Sequence, residues 1–163
     1  MPRCPWAQGE IYEHYHDTEW GVPCHDERHL FEMMNLEGAQ AGLSWITILK
    51  RREGYRAAFD NFDPSICANY SDEQLEEKLR DERIIRNRLK VFGVRKNALA
   101  YLKLCEECGS LDAYLWGFVD GVPIQSRLET MSDIPANTQL SDSISRDLKK
   151  RGFTFVGSTI IYA

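Results

Sequence analysis

The sequence predicts an all-α fold, a compact multi-helix domain with an aromatic-rich N-terminal arm. Apolar residues recur at helical spacing along much of the chain. Capping residues and stops recur between those stretches. Only Val122 to Leu128 reads even weakly as a strand, and it is too short to base a sheet on. At 163 residues the chain, 1–163, makes one domain with a single substantial core. A net charge of −5 argues against coating nucleic acid by bulk charge but leaves room for a local basic face. Five cysteines, an odd number, fit reduced thiols in a cytoplasm better than a disulfide framework. No apolar run approaches a membrane span, and the opening Met1-Pro2-Arg3-Cys4-Pro5-Trp6 is no signal peptide. A cytoplasmic chain with no membrane partner is expected.

Residues 1–24 hold Cys4, Trp6, Tyr12, His14, Tyr15, His16, Trp20 and Cys24, too aromatic for a disordered arm. The arm should pack on the body, with Tyr12 and Tyr15 on one face of a short helix. Asp26 suits an N-cap, followed by Leu30, Phe31 and Met34 on one face. A second helix should start after Ser44 and end at Lys50, Arg51 and Arg52, charges suited to a helix C-terminus. Asp63-Pro64 starts a short helix, and Ser71 with Gln74 forms a capping box. Val91, Val94, Ala98, Tyr101, Leu102 and Cys105 make a long apolar stripe. Ser110 opens a helix to about Phe118, and Ser141 should cap one ending at Lys149 to Arg151, with Gly152 as its stop. Ser158 opens a last helix that reaches Ala163 after about five residues, too few for independent stability. The chain therefore reads as truncated at its C-terminus.

Leu36 to Trp45 is the informative stretch. A helix that stops, crosses the small residues Gly38 to Gly42 and restarts makes a concave wall. Glu37 has no basic neighbour in the segment, and Trp45 adds an indole plane. Together they suit a flat, polar-edged, electron-poor ligand. Taken alone, Glu37 reads as readily as an exposed helix-end acid and Trp45 as core.

Arg80 to Lys96 is rich in arginine and lysine, with Ile84-Ile85-Arg86-Asn87-Arg88 between two helical patterns. It suits either a solvated basic helix or a helix–hairpin–helix turn offering N–H groups and cations to a DNA phosphate. Such a turn favours glycine, and Arg83 and Leu89 stand where glycine would help. Cys105 and Cys108 continue the apolar stripe and read as small hydrophobes rather than a metal pair. Cys4 and His16 could supply two zinc ligands, but structural zinc takes four and no Cys or His follows residue 108. No nucleophile elbow, phosphate-binding glycine loop or H-E-x-x-H motif occurs.

The combined motifs resemble the DNA-3-methyladenine glycosylase I family of the helix–hairpin–helix superfamily. The resemblance rests on Arg3-Cys4-Pro5-Trp6, Tyr15-His16-Asp17, Trp20-Gly21-Val22-Pro23, Leu30-Phe31-Glu32 and Leu36-Glu37-Gly38 to Trp45. It continues through Phe62-Asp63-Pro64, Ile84 to Arg88, Ile134-Pro135 and Lys149 to Gly157, in order over essentially the whole chain.

The resemblance implies a monofunctional, monomeric hydrolase that flips N3-methyladenine out of alkylated duplex DNA and cuts its N-glycosidic bond. It would leave an abasic site and release free 3-methyladenine. Glu37 and Tyr15 would hydrogen-bond the base, Glu37 as the catalytic group, and Trp45 would stack on it. Tyr12, Trp20 and Trp6 are further wall candidates. Gln40, Gly42 and Leu43 would belong to the loop entering the duplex, and Ile85, Arg86, Asn87 and Arg88 would hold the backbone. Structural zinc would bind Cys4 and His16, with its other two ligands absent from this chain. No organic cofactor is expected. Lys90 to Val94, just after the turn, holds no acid, which agrees with the family. The acidic net charge and missing zinc ligands motivate a rival, a non-catalytic damage binder of the same fold. A helical scaffold with Cys105 and Cys108 as a metal clip is a third.

Overall fold

The computed structural model describes residues 3–163 and contains helices and no strand among them. Met1 and Pro2, which open the stretch judged not to be a signal peptide, lie outside the described residues. The helices are α1 (Glu10–Thr18), α2 (Glu27–Ala39), α3 (Trp45–Ala58), α4 (Pro64–Ala68) and α5 (Asp72–Lys78). They continue as α6 (Arg88–Cys108), α7 (Leu111–Gly117), α8 (Gln139–Lys150) and α9 (Ser158–Tyr162). Short 3₁₀ turns cover Asp60–Phe62 and Met131–Asp133.

The spine is α6, whose Val91, Val94, Ala98 and Tyr101 are buried as the apolar stripe requires, while its Leu102 and Cys105 are half-buried and Leu104, outside the stripe, is sealed. Phe31 and Leu36 from α2, Ile48 from α3 and Leu148 from α8 complete one core, all essentially sealed from solvent. Each such side chain stabilises the fold by about 1.5–3 kcal/mol. Cys105 and Cys108 are half-buried against this core.

Most helix starts carry a side-chain cap, those at Asp26, Asp63, Ser71 and Ser110 as predicted. Asp26 accepts from His29 N at 2.7 Å, and Asp63 accepts from Ser65 N at 3.0 Å. Ser71 and Gln74 bond reciprocally, Asn87 accepts from Lys90 N and Ser110 from Ala113 N. Each satisfies an otherwise orphaned helix N–H, worth about 1 kcal/mol.

Three expectations need correction. The helix after Ser44 does not end at Arg52 but runs to Ala58. Its basic residues face partners rather than mark a terminus: Arg52 forms a two-pronged pair with Glu19, and Arg56 pairs with Glu32. Helix α8 starts three residues early, because Thr138 is its cap and Ser141 is the third helical residue that completes the box. Ser158 does open the five-residue α9, as its first residue, with its hydroxyl bonded to Asp142. Val122 to Leu128 is an exposed loop, with no neighbouring strand to pair its backbone.

Nine residues, 79–87, join α5 to α6. Neither Arg83 nor Leu89 adopts positive φ, so neither position demands glycine. The glycine sits across the contact instead. A Cβ on Gly54 of α3 would lie 2.6 Å from Arg83 Cβ and 2.8 Å from Arg83 O. The Tyr55 hydroxyl accepts from Ile85 N at 3.2 Å, and Arg51 donates to Glu82 O at 2.7 Å. Gly54→Ala should therefore lower the thermal midpoint by about 4 °C, although alanine is the better helix former. A melting curve checks it.

The chain between α8 and α9 folds back onto α2 and α6. Asn97 donates to Thr154 O and to Asn35 Oδ1, and accepts from Thr154 N at 2.8 Å. That grip holds Phe155 at φ 55°, a costly conformation for a bulky side chain. Phe155 in turn lies against Gly38, where a Cβ would meet its backbone oxygen at 3.0 Å. The last turn of α2 is thus seated from the opposite side of the molecule.

Candidate active site

The last turn of α2 presents Glu37, and the first residue of α3 is Trp45. The loop between them is small and bound to itself. Gly42 takes φ 79°, and Gln40 Nε2 donates to Leu43 O at 2.7 Å. Leu43 is left exposed at the tip. Helix α1 lies against this wall as the arm was expected to. The Tyr15 ring meets the Trp45 ring edge-on at 5.6 Å.

Glu37 is the unusual group. Burial alone pushes its carboxyl up to about 7, with no charge or hydrogen bond offsetting the cost. Tyr15 is also pushed well up, first by burial and then by the charges of Glu37 and Glu19. The Trp45 indole N–H is buried with no hydrogen-bond partner among the described residues. Tyr15 thus feels the charge of Glu37 and meets the ring of Trp45, whose N–H is unpartnered among the described residues. Groups left in this state are costly in a folded protein and are found where a ligand completes them.

The sequence matches the Methyladenine glycosylase family over residues 6–163. The chain belongs to that family. It is 48% identical to DNA-3-methyladenine glycosylase 1 of Escherichia coli (strain K12), covering 100% of this chain and 88% of that one. A crystal structure of 3-methyladenine DNA glycosylase I superposes with a TM-score of 0.95 at 48% identity, covering 99% and 89%. A 3-methyladenine DNA glycosylase I solved in complex with 3-methyladenine gives a TM-score of 0.95 at 33% identity, covering 99% and 88%.

In this methyladenine glycosylase, the remaining wall candidates divide by what they touch. Trp6 is the hub of the arm, with Tyr12, Tyr15, His16 and Trp20 rings 5.3–6.3 Å away. Trp20 stacks on His16 and stays partly exposed. The Tyr12 hydroxyl accepts from Ile46 N at 2.9 Å, serving as the cap of α3. Ser44 does not do so; its hydroxyl bonds Thr47 Oγ1 instead.

At the α5–α6 turn, Ile85 is half-buried and Arg86 is exposed. Asn87 is committed to capping α6, and Arg88 pairs with Glu76 and lies over the Phe92 ring. Most other cations of the basic segment are likewise occupied: Arg83 by Asp81, Arg95 by Asp72.

Cys4 and His16 do come together, Cys4 N donating to His16 Nε2 at 3.3 Å. His16 Nδ1 faces Asp17 at 3.0 Å. Among the described residues, however, no group of three or more His, Cys, Asp or Glu side chains is placed to hold a metal. Two ligands do not make a structural zinc site, and the expected zinc is not supported by the residues present.

Sequence reasoning missed Lys90. It was counted among the cations of the turn, yet its ammonium donates to Ala39 O at 2.9 Å and Ala41 O at 2.6 Å. Its place was the available signal, because a cation in the first turn of a helix opposes the helix dipole and needs another reason to be there. Arg51 and Tyr55, which hold the turn from α3, were missed because contacts between helices leave no local pattern.

Proposed function

We propose that this chain excises 3-methyladenine from alkylated duplex DNA, as a single-domain, cytoplasmic monomer. The observation that carries the proposal is the half-buried, uncompensated carboxylate of Glu37, which acts on the same Tyr15 that the Trp45 ring meets edge-on. N3-methylation leaves the lesion base cationic while it is still attached to deoxyribose. A half-buried carboxylate with no counter-charge selects that cation over neutral bases.

Chemistry on a base first requires removing it from the stack. The exposed Leu43 at the Gly42 turn fills the gap as an apolar wedge. Gln40 stiffens that loop through its bond to Leu43 O. Trp45 replaces the lost stacking, and Tyr15 with Glu37 reads the base edge. Trp6, Tyr12 and Trp20 support this wall. Ile85 and Asn87 present the turn, the exposed Arg86 holds a phosphate of the flanking backbone, and Arg88 holds another by exchanging Glu76 for it.

In the reaction the bond between C1′ and the base nitrogen breaks, and its electron pair goes to the cationic ring, which leaves neutral. Water adds to C1′ and gives its proton to solvent, leaving an abasic site. A leaving group that departs neutral needs no strong acid, in keeping with a site that offers no other acid to the base. No step passes through zinc or an organic cofactor, and no lysine is placed to attack C1′. Among the described residues no helix is long and apolar enough to cross a membrane.

Dimethyl-sulfate-treated duplex DNA incubated with the purified chain should release 3-methyladenine, resolved by chromatography, with strands left intact until alkali is added. Saturable binding to an abasic duplex with no base released would instead leave a damage binder.

A further inference from the structure

Lys90 stands three residues beyond Asn87, in the first turn of α6 immediately after the α5–α6 turn. Its side chain reaches back across the interface, and its ammonium donates to Ala39 O at 2.9 Å and Ala41 O at 2.6 Å. Ala39 is the last residue of α2, and Ala41 lies in the loop that carries Gly42 and Leu43. The final carbonyls of a helix have no partner within it. Here Gln40 N and Ala41 N serve the carbonyls of Leu36, Glu37 and Gly38, while that of Ala39 is bound from the neighbouring turn, so the end of α2 and the start of α6 are pinned at one atom. Ile85 belongs to the same junction: it shares with Gly38, Ala39, Lys90 and Phe155 a void of about 10 Å³. Burial lowers the Lys90 pKa, as expected of an ammonium whose partners are carbonyls rather than carboxylates.

We infer that Lys90 is a positioning residue that couples the phosphate-holding turn to the Leu43 loop, so that gripping the backbone also fixes the wedge. The inference rests on the roles proposed above for Leu43 and the turn. Its physical content is that two elements serving one substrate must keep a fixed separation. A displacement of about 1 Å at a reacting geometry can cost two orders of magnitude in rate. Lys90 touches neither the base nor Glu37, so its effect must pass through the loop.

The test is single-turnover excision from duplex DNA holding one 3-methyladenine, with Lys90→Met, Leu43→Ala and the double variant. Free 3-methyladenine binding, followed by tryptophan fluorescence, runs in parallel. Lys90→Met should lower excision about tenfold or more, with free-base affinity within about twofold of the native chain. Leu43→Ala should also lower excision, and the double variant should be no worse than the worse single, because both losses fall on one element. Lys90→Gln, which keeps a shorter donor, should fall between Met and native; it also serves if Lys90→Met does not fold. Excision by Lys90→Met within twofold of native while Leu43→Ala fails would overturn the coupling alone. So would multiplicative losses, or free-base affinity falling in step with excision. Native excision by Leu43→Ala would instead overturn the wedge role beneath it, and the coupling with it.

Discussion

Replacing Glu37 with glutamine should lower single-turnover excision of 3-methyladenine by about a hundredfold, the scale of losing a charge-assisted contact in a water-poor site. The amide keeps the shape and removes the charge, so the loss reports charge recognition rather than fit. The pH dependence separates the two further. Only the ionised carboxylate attracts a cationic base, and burial has moved its titration from 4.5 to about 7. Excision by the native chain should therefore fall as pH drops below about 7, and the Gln variant should lack that step. Stability moves the other way. Between 4.5 and about 7 the folded chain holds a proton that the unfolded chain has released, so native stability declines as pH rises through that window. Glu37→Gln should thus raise the melting temperature at pH 8 and leave it nearly unchanged at pH 4. A variant less stable than the native chain at pH 8 would mean that Glu37 has a structural partner.

Replacing Trp45 with alanine should cost the stacking that receives the extruded base, about 1–3 kcal/mol, or roughly 5- to 150-fold in excision and in free-base binding alike. The parallel loss distinguishes a stacking plane from a group acting only in the transition state, which would spare binding of the free base. Trp45 is the first residue of α3, and the cap of that helix comes from the Tyr12 hydroxyl bonding Ile46 N. Helix α3 therefore keeps its cap without the indole. The melting temperature should fall by only a few degrees, since Trp45 is half-buried rather than sealed in the core.

What could be read in the sequence was local. The caps at Asp26, Asp63, Ser71 and Ser110 act within three residues, and the stripe from Val91 to Cys105 has one period. The wall from Glu37 to Trp45 was legible because helix end, small-residue loop and helix start are contiguous. What escaped were partnerships across the fold. Nothing near Arg52 announces Glu19, so a basic triplet passed for a helix end when it was an interface. Ser141 looked like a cap because its own cap, Thr138, begins the same reciprocal pattern three residues earlier. Lys90 reads as one more cation of a basic segment because its two carbonyl partners lie some fifty positions away. The Asn97 grip on Thr154 is equally silent in sequence, since one asparagine on an apolar helix does not say which backbone it holds.

The contact between Gly54 and Arg83 bears on how such chains are recognised. Two backbones that approach this closely need a residue without a side chain, and here only position 54 can supply it, because a Cβ there would meet the carbonyl oxygen of Arg83 at 2.8 Å whatever side chain residue 83 carried. A pattern search that insists on glycine inside the turn would discard this protein. A search that looks for the vacancy on the facing helix would keep it, and relatives that share this approach should hold glycine at position 54 whatever they carry at position 83.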